Sequence, residues 1–461
     1  MADVKNKRKF ASDPARAAAA RLLHSVLEEG AYSNLSSLKI LDEDRLDSRD
    51  RAFASASVYG TISWLPMIDW QIEKVSSKPL EQIDPWIRTI LRFGIWQLTK
   101  AHSVTEAAAV DESVKLARFF AHEGAASYVN AVLRSWLRAK PQIPRKLEAL
   151  NYGLPTWLFG SLKKWYGYDR AVSLAEAYLE PKPWTSLRVN TMLADPADLI
   201  HEWSEDGLEA EPGSYLPEAV HLKLAGNSLR DLIAWQDGLV TAQDEAAMLT
   251  SHVACPNKND RIIDLCAAPG GKTTHLAELM SDTAKITALE LQPHRAQLIQ
   301  EQAERLKLKS INIVVGDAAE FSTSEELYDI VVADVPCSGL GLLGRKPEIR
   351  LNMDYDRIQE LITLQRSILN NASKLVKAGG SLIYSTCTIN PEENQDQIKW
   401  FLEESENSDG FAAVDITNKL PQELLTADAD IVNQAKNGYI QLMPDRQSTD
   451  GFFIARLEKI K

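Results

Sequence analysis

Two cysteines fifty residues apart carry the chemistry that this sequence suggests most directly. Cys337 lies in the segment ADVPCSG and Cys387 in YSTCTIN, and each follows a short apolar run typical of a buried strand. If the two runs are adjacent parallel strands, both thiols lie at the carboxyl edge of one sheet, where open α/β sheets bind ligands. Such a pair suits methylation at carbon 5 of a pyrimidine. One thiolate can add to carbon 6 and activate carbon 5, and a second group can assist product release.

The segment CAAPGGKTTHLAE, residues 266–278, predicts a cofactor site. Gly270 and Gly271 allow the backbone to turn tightly and approach a ligand. The helix that follows favours an anionic group, such as a carboxylate, at its N-terminus. The phosphate loop of NTPases does not match, because Cys266 stands where that pattern needs glycine, and the fingerprint GxGxxG is absent.

Acidic residues at the ends of successive predicted strands extend this cofactor site. Glu290 ends KITALE, Asp317 ends INIVVGD, and Asp334 ends DIVVAD. A carboxylate at the position of Glu290 can bind both ribose hydroxyls, and Asp317 is within reach of an adenine edge. A single acid at a strand end is usually a cap or turn residue. Three in succession after a glycine turn are harder to explain in that way. S-adenosylmethionine matches the set, with its carboxylate at the glycine turn, its ribose at Glu290 and its adenine at Asp317.

The elements that must position these residues alternate regularly from residue 260 onward. The predicted strands are RIIDL, KITALE, INIVVG, DIVVAD and SLIYST, and the helices between them are THLAELM, 293–307, 355–377 and the stretch after Pro391. This alternation predicts an α/β fold with a doubly wound, mostly parallel sheet. Two late runs, YIQLMP and GFFIARL, predict an antiparallel hairpin at the edge of that sheet.

The amino-terminal part, residues 12–138, has helical periodicity and predicts an all-α bundle. Asp13 is the predicted N-cap of the first helix, with Pro14 at its first position and Gly30 just past its end. Ser103 and Glu106 have the spacing of a capping box. The segment PQIPR interrupts the pattern. We therefore expect a helical domain over 1–145, a linker and small α+β connector over 146–235, and a catalytic core over 236–461.

The bulk composition indicates a globular protein: 461 residues are 45% hydrophobic and 25% charged. We expect a cytoplasmic protein without a membrane partner, because the chain lacks an apolar run of ~18 residues and a signal-peptide pattern at its start. The four cysteines show no CxxC spacing and no histidine pair placed to complete a zinc site, so free thiols and no metal are expected. Cys255 is interpreted as a buried small hydrophobe.

The net charge of -13 is unevenly distributed along the chain. Residues 1–145 sum to +4 and residues 146–461 to -17. A basic amino-terminal part suits a module that supplies phosphate contacts for a separate catalytic domain. The basic run at residues 5–9 is equally well explained as a solvated tail.

The motifs DLCAAPGGKT, DVPCSG, YSTCTINPEEN and DGFFIARL together resemble those of bacterial 16S rRNA (cytosine-5) methyltransferases of the Fmu/Sun (RsmB) family. YVNAVLR resembles a NusB-type RNA-binding helical domain, and SLRVN resembles the family's short motif ahead of the core. The resemblance implies a class I methyltransferase-type sheet. It also implies that Glu290 binds the ribose and Asp317 the adenine of S-adenosylmethionine. The loop that would hold the methionine part consists of Cys266, Ala267, Ala268, Pro269, Gly270, Gly271 and Lys272.

The family resemblance makes Cys387 the nucleophile and Cys337 the residue that assists release. The sequence alone leaves the order open, because DNA cytosine-5 methyltransferases use the cysteine of a proline-cysteine pair. Lys272 is a candidate to lower the pKa of the nucleophilic thiol, and Asp334 to polarise the N3 edge of the base.

The expected partner is small-subunit ribosomal RNA, with Arg188, Arg345 and Lys346 as candidate contacts. The alternatives are the same chemistry on tRNA, a non-catalytic NusB-like RNA-binding factor, and a DNA methyltransferase.

Overall fold

The structure, a computed structural model, describes residues 13–30, 46–101, 103–180, 182–224, 226–324 and 326–460. These residues form two compact units. The first contains the described residues up to Glu180, a short segment at Gly226 and the segment Arg345–Asn352, and the second contains the rest. The basic run at residues 5–9 lies outside the described residues. Among the helices described, none is both long enough and apolar enough to cross a membrane.

The first unit is helical, as its periodicity predicts. Asp13 caps the first helix by accepting a hydrogen bond from the backbone of Arg16 at 3.0 Å, and Pro14 occupies the first position as predicted. The predicted capping box at Ser103 is wrong, because Thr105 caps that helix. The helices are α1 Pro14–Leu27, α2 Ser48–Ser63, α3 Leu65–Val75, α4 Pro85–Thr99, α5 Glu106–Phe120, α6 Glu123–Ala139, α7 Thr156–Tyr166 and α8 Tyr168–Ala177.

The core of the helical unit is formed by the stripes that the sequence pattern indicates. Leu22 and Leu23 of α1 and Val129 and Leu133 of α6 are completely buried in one hydrophobic cluster. Each helix is thus held mainly by burial of one apolar face, which is the usual source of helix stability in a bundle.

The second unit begins with a small antiparallel sheet of four strands in the order β2-β3-β1-β4. Its core contains Leu187, Val189, Trp203 and Val220. Its strand β4 lies beyond residue 235, the position at which the connector was expected to end. The bounds are β1 Trp184–Val189, β2 Ala210–Pro212, β3 Ala219–Lys223 and β4 Val240–Ala242, with helices α9 Pro196–Glu205 and α10 Ile233–Gln236.

The rest of the second unit is the doubly wound sheet that the sequence predicts. Its strands follow the order β10-β12-β9-β8-β5-β6-β7, and β11 pairs with β12. The strands are β5 Arg261–Asp264, β6 Lys285–Glu290, β7 Ile311–Val315, β8 Tyr328–Asp334, β9 Val376–Thr386, β10 Phe411–Ala413, β11 Tyr439–Leu442 and β12 Phe452–Lys459. The helices are α11 Glu245–Ala254, α12 Gly271–Leu279, α13 Pro293–Arg305, α14 Tyr355–Leu375, α15 Gln395–Glu404, α16 Gln422–Ala427 and α17 Ala429–Lys436.

Strand directions confirm the predicted architecture. β5 to β9 pair in parallel, whereas β12 pairs antiparallel with β9 and β11. The predicted late hairpin is therefore present at the edge of the sheet, where β11 and β10 pair with successive parts of the edge of β12 that faces away from β9. Consecutive residues of β5, Ile262 and Ile263, enter different hydrophobic cores, as expected for a sheet covered by helices on both faces.

Cys255 differs from its sequence interpretation. It follows the last residue of α11 with a left-handed φ of 51°, and its side chain is exposed. The prediction that it is a buried small hydrophobe is wrong, because the residue lies past the helix end at the surface.

Candidate active site

The two cysteines of the sequence argument meet at the carboxyl edge of the large sheet. β8 and β9 are adjacent and parallel, with Asp334 opposite Ser385, so the segments that follow them leave the sheet side by side. The Sγ atoms of Cys337 and Cys387 lie 3.3 Å apart, and both residues are of intermediate exposure and outside any disulfide. The predicted adjacency of the two thiols is confirmed.

The surroundings of the pair favour a proton on Cys337. Its hydrogen bond with Cys387 raises the pKa of the Cys337 thiol well above its ordinary value, burial raises it further, and the charge of Glu393 contributes in the same direction. Burial likewise raises the pKa of the nearby Cys266 thiol. Cys337 and Cys266 therefore remain protonated at neutral pH, and Cys337 can donate its S–H to the Cys387 sulfur.

A lysine and an aspartate lie next to this pair. Lys272 Nζ lies 2.7 Å from Asp334 Oδ2, and Ser385 Oγ donates to the other carboxylate oxygen at 2.7 Å. Burial by itself would lower the pKa of Lys272, but the charge and hydrogen bond of Asp334 raise it, with a smaller contribution from Cys387. The site therefore holds a permanent cation close to the Cys387 sulfur.

The loop at residues 266–272 forms a tight turn at the start of α12. Gly270 has a φ of 107°, and its backbone N–H donates to Ala267 O at 2.7 Å. A residue with a Cβ is strained at such a φ, so the turn requires glycine there. A Cβ at Gly271 would come no closer than 3.7 Å to Gln243, so nothing in the surrounding protein requires the second glycine.

The start of α12 is held by Arg188, which the sequence argument assigned to RNA. Its side chain is completely buried and forms a two-pronged ion pair with Glu278, with both N···O distances 2.8 Å. It also donates to Gly271 O at 2.8 Å and to Thr274 Oγ1 at 2.9 Å. The predicted RNA contact of Arg188 is wrong, because burial leaves no surface for RNA. Its role is to connect β1 of the small sheet to the first turn of α12.

The acids at the ends of β6 and β7 lie at the same edge of the sheet. Glu290 is buried, and its Oε1 accepts a hydrogen bond from the backbone of Gln292 at 3.1 Å and lies 3.7 Å from Arg295. Asp317 is exposed and caps its own turn by accepting from the backbone of Ala319 at 2.8 Å. Gly316 N donates to Glu290 O at 3.1 Å, so the two strand ends are tied together.

The comparisons with known proteins agree with this geometry. A family model described as 16S rRNA methyltransferase RsmB/F matches residues 252–458, a NusB family model matches 13–138, and a RsmF/B-like ferredoxin-like domain matches 154–228. A Bacillus subtilis protein named probable ribosomal RNA small subunit methyltransferase B is 34% identical over 93% of this chain and 95% of its own length. A Shewanella oneidensis protein named ribosomal RNA small subunit methyltransferase B is 32% identical over 96% and 99%. This chain belongs to the ribosomal RNA small subunit methyltransferase B family.

Solved structures support the fold of this family member. The structure of PH0851 matches with a TM-score of 0.85 and 28% identity over 97% of this chain and 99% of that chain. The structure of NSun6 from Pyrococcus horikoshii with SFG has a TM-score of 0.56 and 22% identity over 67% and 98%, which shows a shared fold. The predicted class is thus confirmed: a NusB domain, a methyltransferase sheet and, between them in the sequence, the small α+β part, which matches a ferredoxin-like domain. The chain is an RNA methyltransferase.

Two other basic residues of the sequence argument belong to the helical unit of this methyltransferase. Arg345 and Lys346 lie in the segment Arg345–Asn352, and Lys346 is exposed. In that segment Arg350 is buried and donates to Ser63 O at 2.5 Å and to Gly153 O at 2.9 Å. The RNA contacts of Arg345 and Lys346 stay predictions.

A histidine cluster lies outside the sequence argument. His252 Nε2 and His275 Nε2 lie 2.6 and 3.2 Å from the same oxygen of Glu218. Within the described residues this is the one group of three whose ligand atoms are close enough to hold a metal ion. Hydrogen bonds from both rings to the carboxylate account for the arrangement, and the expected absence of a metal stays a prediction.

Proposed function

We propose that this chain transfers a methyl group from S-adenosylmethionine to carbon 5 of a cytidine in 16S ribosomal RNA, through a transient bond between Cys387 and the base. The observation that carries the proposal is the thiol pair, 3.3 Å apart, beside the Lys272–Asp334 ion pair. The names of the relatives support small-subunit ribosomal RNA as the substrate.

The edge of the sheet offers groups that fit the proposed cofactor. The backbone N–H groups at the start of α12 suit a carboxylate, because a helix N-terminus carries partial positive charge. Glu290 would bind the ribose hydroxyls and Asp317 the adenine edge. The space beside Gly271 supports this fit, since the surrounding protein itself does not need a glycine there. S-adenosylmethionine bound here would supply an electrophilic methyl group.

In the proposed reaction, the cytidine first leaves its stack so that its ring can enter the site, which costs a few kcal/mol. Cys387 adds as a thiolate to carbon 6, stabilised by the nearby charge of Lys272 and by the S–H of Cys337. Asp334 contacts the N3 edge of the base, and the Lys272 ammonium that it holds at 2.7 Å offsets the negative charge that develops there. These groups act where the ring gains electron density.

Release then restores the aromatic ring. Carbon 5, now nucleophilic, forms its bond to the methyl carbon, and the carbon 5 proton then leaves to a water molecule. The electron pair of that C–H bond reforms the C5=C6 double bond, and the bond between Cys387 sulfur and carbon 6 breaks. Cys337 assists this step because its sulfur is in contact with the departing one.

The test compares cysteine variants of the full chain on a 16S rRNA transcript. We expect Cys387→Ala to abolish both methyl transfer and the covalent adduct, and Cys337→Ala to accumulate RNA–protein adduct on a denaturing gel. Cys255→Ala is the matched control and should behave as wild type, since this thiol is exposed at the end of α11. Wild-type methyl transfer by Cys387→Ala would refute the proposal. Parallel reactions with tRNA and duplex DNA test the alternative substrates.

A further inference from the structure

Glu393 is a buried carboxylate whose charge is balanced by hydrogen bonds. Its side chain is inaccessible, and no lysine or arginine in the described ranges forms an ion pair with it. Its Oε1 accepts from Ser338 N at 2.7 Å and from Gln365 Nε2 at 3.0 Å. Its Oε2 accepts from Ser338 Oγ at 2.5 Å and from Asn390 Nδ2 at 3.0 Å. An ion buried without a counter-charge is costly, which makes a purely structural purpose a poor explanation.

The donors to Glu393 come from both cysteine segments. Ser338 directly follows Cys337, and Thr388 directly follows Cys387. Thr388 Oγ1 lies 3.4 Å from Glu393 Oε2, and the hydroxyls of Ser338 and Thr388 lie 2.8 Å apart. One carboxylate therefore joins the residues that follow the two thiols.

Glu393 is itself firmly placed. It ends a short helical turn, Pro391–Glu393, that is capped by Asn390, and its carbonyl accepts from Tyr384 Oη at 2.7 Å. The next residue, Asn394, accepts from Thr386 Oγ1 at 2.6 Å and donates to Thr388 O at 3.0 Å. The carboxylate is thus anchored to the end of β9, the strand that leads to Cys387.

We propose that Glu393 is a positioning residue, which fixes the separation of the Cys337 and Cys387 thiols by holding the residue that follows each of them. This inference rests on the proposed function of the cysteine pair. The hydrogen bonds of the Glu393 carboxylate explain the distance between the two thiols, because they hold both Ser338, next to Cys337, and Thr388, next to Cys387. The negative charge of Glu393 adds to the hydrogen bond with Cys387 and to burial in raising the pKa of the Cys337 thiol. Cys387 is thereby left as the sulfur that attacks.

The test is Glu393→Gln in the full chain. Glutamine keeps the shape, but its amide NH2 would face donors that the carboxylate now accepts from, so the two segments separate. We expect the single-turnover methylation rate to fall about 100-fold, the size of effect expected when reacting groups shift by ~1 Å. Glu392→Gln is the matched control and should keep the wild-type rate, because the side chain of Glu392 bonds Gln359 instead.

A second readout does not require RNA. Alkylation of each cysteine by iodoacetamide, followed against pH by mass spectrometry, should show Cys337 in Glu393→Gln reacting at lower pH than in wild type. If Glu393→Gln does not fold, Ser338→Ala replaces it, with a smaller loss of rate and the same direction of change. Wild-type rate and an unchanged alkylation profile in either folded variant would overturn the inference. Activity of Cys387→Ala would instead overturn the proposed function, so the two failures are distinguishable.

Discussion

Replacement of Arg188 by methionine should weaken both the second unit and its cofactor site. The substitution removes the guanidinium from a completely buried ion pair and leaves the carboxylate of Glu278, whose side chain is 4% exposed, without its partner. It also removes the hydrogen bond to Gly271 O that holds the first turn of α12. We therefore expect lower stability and weaker S-adenosylmethionine binding together.

The magnitude follows from the cost of an unpaired buried charge. Breaking one side of a buried ion pair costs about 3–5 kcal/mol. Burial raises the pKa of Glu278 and Arg188 opposes that rise, so in Arg188→Met this carboxyl holds its proton to higher pH. A folded-state pKa above the unfolded one gives stability that is lost as pH rises through the folded value. The deficit of the variant should therefore be larger at pH 8 than at pH 5.

The assay is unfolding in a series of urea concentrations, monitored by hydrogen exchange of peptides from β5 and α12. These peptides report the stability of the second unit separately from that of the helical unit. Lys399→Met is the control, since its pair with Glu403 is exposed and should be worth less than about 1 kcal/mol. The double variant Arg188→Met/Glu278→Met should recover much of the loss. An Arg188→Met protein as stable as the control at both pH values would refute the reasoning.

Four other substitutions test separate features of the protein. Gly270→Ala should lower the free energy of unfolding by about 1–2 kcal/mol, because the φ of Gly270 is 107°. Gly271→Ala should lower it by less than about 1 kcal/mol but weaken S-adenosylmethionine binding. Chemical denaturation and titration calorimetry measure the two effects, and equal stability losses would contradict this prediction. Burial lowers the pKa of His275 to about 3, so the folded state binds no proton there between pH 6.5 and 3 whereas the unfolded state does. Between pH 7 and pH 5 the free energy of unfolding of wild type should thus fall by about 2 kcal/mol more than that of His275→Gln. Parallel plots of unfolding free energy against pH for the two proteins would contradict a buried, neutral His275. Asp334→Asn should lower the single-turnover methylation rate by about 100-fold at saturating S-adenosylmethionine, and an unchanged rate would contradict its proposed contact with the base.

The large sheet and its cysteine pair could be predicted because their determinants are local. Each strand is a short apolar run, and a parallel order follows from the alternation with helices. The carboxyl edge then brings Cys337 and Cys387 together without knowledge of any side-chain contact. The strand β10 could not be predicted in the same way, because its three residues are too few for a periodic pattern. Its pairing with β12 also depends on residues that are distant in the sequence.

The supporting residues could not be predicted, because their partners are distant in the chain. Arg188 bonds Glu278 ninety residues away, and a charged residue in a sequence is normally interpreted as exposed. The sequence shows Glu393 only as part of the motif YSTCTINPEEN. Its contact with Ser338 could not be predicted, because that contact depends on the pairing of β8 with β9. The environment of His275 likewise depends on Glu218, which lies 57 residues away in the sequence. Burial of polar groups is a tertiary property that periodicity does not record.

The most direct measurement of the central claim is peptide mapping of the covalent intermediate. The Cys337→Ala protein would be incubated with 16S rRNA and S-adenosylmethionine, digested with protease and nuclease, and the nucleotide-bearing peptide sequenced by mass spectrometry. The account predicts a cytidine-derived mass on Cys387. Attachment at another residue, or no attached nucleotide while methylation proceeds, would contradict it.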